Sequence, residues 1–378
     1  MVGAMLKDLA LNQRDAYLQT LRDLAGLESP TADKEANDRV ADFLSPLLRK
    51  DGWQVERVPK ELVGDQVVAR YDAPGDTSTL LLCHFDTVWP IGTLEKMPLK
   101  EEDDKFYGPG TMDMKAGITT AIHALRLIKN QGLALRGPVT LALTSDEEKG
   151  SQHSRGLIET LAKDHSRVLV LEPGREDGAV KIGRKGIGDF QVTFTGISAH
   201  AGNNPQDGAS ALRELAHFLL LAESLTDYDK GTSVNVTVAQ AGSVSNVIAE
   251  EAHCQIDMRA LKVEEAERVE RTLKAYKPKD ERVKVEVEGG INRPPMEFTE
   301  KNKALFAEFE EAMARVGVEL ESAVVGGGSD GNFTSILGIP TLDGLGSAGE
   351  GPHARHEHIR IEETLERLAL LVAMLTEA

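Results

Sequence analysis

Apolar positions along the chain follow two grammars. Between residues 79 and 174 three short runs, TLLLCHF, PVTLALTS and RVLVLEPG, are apolar at consecutive positions, which predicts strands buried on both faces. Between the first two, MKAGITTAIHALRLIKN places Ile118, Ile122, Leu125 and Ile128 on one helical face. Doubly buried strands alternating with helices predict a largely parallel α/β sheet. Ahead of them SPTADKEANDRVADFLSPLLRK carries Val40, Phe43, Leu44, Leu47 and Leu48 at helical spacing, so the chain up to about Lys50 is expected to be helical.

From about Gly186 the pattern switches. DFQVTFTG alternates Phe190, Val192 and Phe194, one face buried and one wet. A helix (GASALRELAHFLLLAESL), two strands (SVNVTVAQAG, AHCQIDMRA), a charged helix (EEAERVERTLKAY) and a strand (RVKVEVEG) follow. This β-α-β-β-α-β order predicts a ferredoxin-like α+β unit. After NRPP the chain returns to helix (KALFAEFEEAMARVG), a short strand near GIPTLDG and a last helix from Glu362. The expected organisation is one α/β domain, 1–185 plus 296–378, interrupted by an inserted domain at 186–295.

Composition narrows the chemistry. With 378 residues and 41% hydrophobic content the chain can bury more than one core, built mainly from Leu, Val, Ile and Ala because aromatics are only 4%. A formal net charge of −18 argues against nucleic acid and anionic membranes, both of which reward cationic faces. A small acidic substrate stays open, since a few local arginines outweigh a distant field. Cys83 and Cys254 each sit in an apolar run and are expected as buried, reduced thiols. No apolar stretch approaches ~18 residues, and Lys7, Asp8, Arg14 and Asp15 interrupt the first apolar positions. Neither a spanning segment nor a secretory leader is expected, and a cytoplasmic location is the default.

The strand ends carry the chemistry. LLLC ends at His84, with Asp86 two places on; VTLALTS ends at Asp146, Glu147 and Glu148; RVLVL ends at Glu172. GPGTMDMKAG presents Asp113 on a glycine-rich turn, and GPHARHEHI offers His353, His356 and His358. In open α/β sheets the ligand crevice lies beyond the carboxyl ends of the strands, so these residues are expected to converge. Singly, each has a plain reading: a structural histidine, a solvated turn, a glycine that serves its bend. Their recurrence at successive strand ends favours a metal centre. His, Asp and Glu without thiolate suit Zn2+ in an open, catalytic geometry. Five ligands exceed what one tetrahedral ion uses, whereas two ions ~3.5–4 Å apart sharing a carboxylate would use them all. A further carboxylate must take a proton from water, and the pair Glu147–Glu148 can supply one ligand and one base.

HFDTV, GPGTMDMKAG, SDEEKGS, LEPG, ISAHAG, GGGSDG and GPHARHE run in order from residue 84 to 358. Together they resemble the zinc metallopeptidase family that includes aminoacylases, bacterial glutamate carboxypeptidases, succinyl-diaminopimelate desuccinylase and tripeptide aminopeptidases. The resemblance implies a phosphorylase/hydrolase-like catalytic domain with a mixed, mostly parallel sheet, and an inserted ferredoxin-like lid that also makes a homodimer. It implies two Zn2+ per subunit, with Co2+ or Mn2+ as alternatives. His84 and Glu172 would hold one ion, Glu148 and His353 the other, and Asp113 would bridge. Asp86 would fix the tautomer of His84 and Glu147 would be the general base. His353 is chosen because the family's ligand stands four residues before a Glu, here Glu357; His356 and His358 are left to a surface helix start or strand edge. His200 of SAHAG matches a histidine that reaches the partner subunit's site to hold the oxyanion. Asn246 and Arg259 match pocket positions, and Arg293 matches an arginine for a substrate carboxylate in the glutamate carboxypeptidase branch. Gly327 and Gly328 match places where backbone approaches the pocket, with a flexible turn as the plain alternative. One departure is Met114, where many members have a second Asp; the bridge needs only Asp113.

In that family a Glu at the position of Glu172 goes with carboxypeptidases and deacylases, and HFDTVWPIGT, GPGTMDMKAG and DEEKGS look most like the folate-cleaving glutamate carboxypeptidases. The expected activity is amide hydrolysis releasing a C-terminal amino acid, glutamate foremost, from small N-acyl or peptide substrates. An N-acyl-amino-acid deacylase or dipeptidase on the same residues is the close alternative. A non-catalytic metal-binding relative is disfavoured by Glu147, and a dizinc phosphoesterase by the scarcity of basic groups near the motifs.

Overall fold

The doubly apolar runs become neighbours in one six-stranded sheet, ordered Gln54–Val58, Gln66–Tyr71, Val139–Thr144, Thr79–His84, Arg167–Val170, Thr341–Leu342. In this computed structural model, which describes residues 2–377, the last four strands are parallel and the first two join antiparallel. Every residue of Thr79–His84 and Val139–Thr144 is buried. Alternation explains how. Leu81, Cys83, Leu141, Leu143 and Leu169 enter a core shared with helices Ala116–Gln131 and Ile361–Leu375. Leu80, Leu82, Ala142, Val168 and Val170 face Ile158, Leu161 and Phe333 on the other side. Each fully buried Leu or Val contributes roughly 1.5–3 kcal/mol, so register is strongly held and the strand ends are fixed points.

The N-terminal region forms three helices, Val2–Leu11, Arg14–Ala25 and Lys34–Asp51. The third begins where the Asp33 carboxylate accepts the Ala36 N–H at 2.9 Å and ends at Gly52 with φ +102°. Periodicity did not announce the edge strand Gln54–Val58, none of whose residues is fully buried, or its inner neighbour Gln66–Tyr71, which is buried over its first four residues. It also did not announce the short pairing Lys100–Glu102 with Lys105–Tyr107.

A second unit comprises Arg184–Glu297 with Val325–Gly328. Its antiparallel sheet has the order Ser233–Ala241, Glu251–Ala260, Gly186–Thr195, Lys284–Arg293. Helices Ala211–Ser224 and Val263–Lys274 pack on it, giving the ferredoxin-like arrangement. Gly327 and Gly328, expected in the catalytic domain, group with this unit. The reason is hydrogen bonding: Lys185 N–H donates to Val325 O, and the Arg184 guanidinium to the carbonyls of Gly327 and Gly328. Cys83 and Cys254 are both buried and free. Among the described residues no helix is long and apolar enough to cross a membrane.

Candidate metal centre

His84 closes its strand with a ring that is 1% exposed. The Nδ1–H donates to the carbonyl oxygen of Asp86 at 3.0 Å, which leaves Nε2 as the ligating nitrogen. Nε2 lies 3.2 Å from Asp113 Oδ1 and 3.4 Å from Glu172 Oε1. On the other side of Asp113, His353 Nε2 stands 3.3 Å from its Oδ2 and 3.2 Å from Glu148 Oε2. Two triads result, His84–Asp113–Glu172 and Asp113–Glu148–His353, each with its ligand atoms within 4.8 Å of one another and with Asp113 in common.

Each member is presented by a turn that the sequence writes locally. Gly110 has φ +69°, which starts the turn Thr111–Lys115, and Asp113 itself is non-helical at φ −115°, ψ 98°. The Asp113–Met114 peptide is cis. Met114, the departure from the family pattern, is buried, and its Sδ receives the His84 N–H at 3.2 Å. Glu147 and Glu148 open the short turn Glu147–Lys149 directly after the Thr144 strand. Their backbone N–H groups both donate to Asp86, at 3.2 Å each, and Thr31 Oγ1 donates to it at 2.7 Å. The Asp86 carboxylate is 3.4 Å from His84 Nδ1, farther than its own carbonyl oxygen. Asp86 thus orients His84 through backbone and spends its carboxylate on the Glu147–Glu148 turn.

Electrostatics favour a cation. Three carboxylates, Glu172 buried and Asp113 and Glu148 largely so, cannot donate to one another, and Glu148 Oε1 is buried without a hydrogen-bond partner. Burial, with the neighbouring Asp113 charge, pushes the Glu148 carboxyl up to about 7. Burial also opposes ionisation of Asp113, yet hydrogen bonds from His353 and His84 hold it well below the carboxylate range. Asp113 and Glu148 raise His353 to about 11. His84 rises well above the usual histidine value, because Asp113, Asp86 and Glu172 outweigh its burial. Three carboxylates gathered around two imidazoles concentrate negative charge that a cation would offset. These side chains fit a pair of Zn2+ ions.

The remaining predicted residues lie in the second unit. His200 is exposed, and its Nδ1 accepts the N–H groups of Gly202 and Asn203 at 3.1 and 3.0 Å. That places the ring proton on Nε2. Asn246 is its neighbour, through Ala201 N–H to Asn246 O at 2.9 Å. Arg259 is committed to a fork with Asp257, at 2.9 and 2.8 Å. Arg293 is buried, and a Cβ on Gly328 would come within 2.9 Å of its Cδ, so glycine is what lets that segment lie against it. Gly327 has no such crowding. His356 is exposed, but His358 is not a surface residue: it is buried in the strand His358–Arg360 against Tyr107.

Sequence reasoning passed over three residues that hold the centre together. The Glu357 carboxylate accepts four hydrogen bonds, Thr31 braces Asp86, and Asp330 accepts from Ser151 and from Thr144 at the end of the strand that precedes Glu147 and Glu148. Asp330 sat inside the quoted GGGSDG, and Glu357 four places after His353, so both were in view without a role.

The sequence profile of Peptidase family M20/M25/M40 matches residues 80–377. Carboxypeptidase G2 of Pseudomonas sp. (strain RS-16) is 33% identical over 99% of this chain and 92% of its own length. The succinyl-diaminopimelate desuccinylase of Rickettsia akari is 28% identical over 69% of this chain and 74% of that one. Among solved structures, aminopeptidase PepT from Bacillus cereus superposes with a TM-score of 0.82, covering 96% of this chain and 98% of that chain at 21% identity, which shows a shared fold. The protein belongs to the M20/M25/M40 peptidase family and is an amide-hydrolysing enzyme of that family.

Proposed function

We propose that the protein is a dizinc metallocarboxypeptidase that releases a C-terminal amino acid, glutamate foremost, from N-acyl or peptide substrates. The observation that carries this reading is the pair of His/carboxylate triads sharing Asp113, with Glu147 next in chain to one ligand. His84 and Glu172 would hold one ion, Glu148 and His353 the other, with Asp113 common to both groups. Two bound zinc ions supply Lewis acidity, which stabilises charge on the amide oxygen and makes a water more acidic. Glu147 takes that water's proton and returns it to the leaving amine. His200 offers its Nε2–H to the developing oxyanion across a dimer formed by the inserted unit.

The substrate carboxylate needs an arginine. Arg259 and Arg293 are the candidates, and Arg259 would have to share its guanidinium with Asp257. Similarity to carboxypeptidase G2 supports the carboxypeptidase reading. Similarity to the desuccinylase favours a second one, an N-acyl-amino-acid deacylase or dipeptidase on the same residues. Turnover of N-acyl glutamates, N-acetyl neutral amino acids and dipeptides, measured alongside a metal count by mass spectrometry, decides between them. Two zinc per chain and a preference for C-terminal glutamate are expected. Equal turnover of neutral acyl amino acids transfers the assignment to the deacylase, and undiminished hydrolysis after metal removal ends both.

A further inference from the structure

We propose that Glu357 is the positioning residue of the centre: one buried carboxylate that locks the turn carrying Asp113 to the turn carrying His353 and couples both to Trp89. The inference rests on the dizinc reading above. Glu357 Oε1 accepts the N–H groups of Met112 and Asp113 at 3.0 and 3.1 Å. Its Oε2 accepts the Gly110 N–H at 2.9 Å and the Trp89 indole N–H at 2.8 Å. The turn needs such an acceptor. Gly110 is left-handed and Asp113 extended; Thr111 N–H reaches Gly108 O at 3.3 Å, whereas the N–H groups of Gly110, Met112 and Asp113 turn to Glu357. Supplying both oxygens from outside leaves the Asp113 side chain aimed between the two imidazoles.

The same residue fixes the His353 side. Glu357 N–H donates to Ala354 O at 2.9 Å, Ala354 N–H to Gly351 O at 2.9 Å, and Gly108 N–H to Glu357 O at 3.2 Å. His353, at φ +62°, sits inside this closed turn. The distance between the bridging carboxylate and His353 is therefore set through Glu357. Trp89 reads out the same carboxylate from the segment after His84. Trp53, the other tryptophan, packs edge-on against Tyr71.

Glu357→Gln keeps the shape but replaces one acceptor oxygen by an amide that faces backbone N–H groups. Zinc affinity and stoichiometry would be measured by equilibrium dialysis for wild type, Glu357→Gln and Trp89→Phe, with far-UV circular dichroism for folding and tryptophan emission during titration. Wild type binding two zinc tests the dizinc reading by itself. Given that, Glu357→Gln is expected to bind about 10- to 100-fold more weakly with an unchanged dichroism spectrum. Trp89→Phe is expected to keep two zinc and to lose the emission change that zinc causes in wild type. A folded Glu357→Gln with wild-type zinc affinity overturns the proposal. If that variant does not fold, emission decides: a zinc response that survives in Trp89→Phe, or none in wild type, overturns it equally.

Discussion

Glu147 and Glu148 are adjacent and chemically alike, and their surroundings separate them. Glu148 faces His353 and Asp113, with one oxygen left unpaired in a buried place. Glu147 is partly exposed at the start of the same turn, its N–H held by Asp86. Replacing Glu147 by Gln removes proton transfer while sparing every proposed ligand. Turnover should fall about 10²- to 10⁴-fold, with the metal count unchanged by mass spectrometry. Wild-type turnover in this variant would take the base away from Glu147. The two histidines differ as well. His84 is 1% exposed and His353 51%, so on the dizinc proposal a chelator would reach the His353 side before the His84 side. Metal release into excess chelator should be biphasic, and His353→Ala should retain the slowly released ion alone. A single phase for both ions would mean that exposure does not govern exchange.

At the scale of elements, the question is what holds each ligand turn at its strand end. Glu172 follows the strand Arg167–Val170, and its carbonyl accepts the Gly346 N–H at 2.9 Å. Just beyond it, the buried Arg367 donates to the carbonyls of Gly344, at 2.6 Å, and Gly178. Burial pulls this guanidinium down to about 10, so its placement is costly and the two carbonyls must offset that. Arg367→Met relieves the desolvation but orphans two buried acceptors, each worth about 1–3 kcal/mol. A loss of about 1–3 kcal/mol is expected, seen as a lower urea midpoint at constant m-value. An unchanged midpoint would show that water replaces the guanidinium without loss. Such ties also mark the boundary of what sequence can say. The strands were legible because both of their faces are buried, His84, Glu148 and Glu172 because polar residues after such runs are conspicuous, and Asp113 because it stands on a glycine-rich turn. The edge strand Gln54–Val58 was not, since none of its residues is fully buried, and neither was the interior Gln66–Tyr71, whose apolar run is only Val67–Ala69. Glu357 reaches Gly110 across 247 residues and Thr31 reaches Asp86 across 55. No local pattern encodes those contacts; they exist only once the turns have met.

At the scale of the whole molecule, the inserted unit carries an unpartnered face. Leu212, Ala216 and Leu220 recur every four residues along the helix Ala211–Ser224, all three exposed. The strand Ser233–Ala241 is a sheet edge with Val238 exposed. An exposed apolar stripe and an open strand edge are both costs for a monomer, and pairing two copies removes both. His200 lies in the same unit, exposed and with Nδ1 engaged by backbone N–H groups, so a catalytic role for it and self-association make one testable statement. Leu220→Glu puts a charge on the stripe without touching any proposed ligand. Multi-angle light scattering should show wild type at twice the chain mass and the variant at one. Turnover should fall in the variant while zinc content and the dichroism spectrum stay at wild-type values, because only the group borrowed from the other copy has gone. His200→Ala should lower turnover to a similar extent with the dimer intact. A Leu220→Glu monomer that keeps full activity would detach His200 from the reaction and leave the oxyanion to groups within one chain.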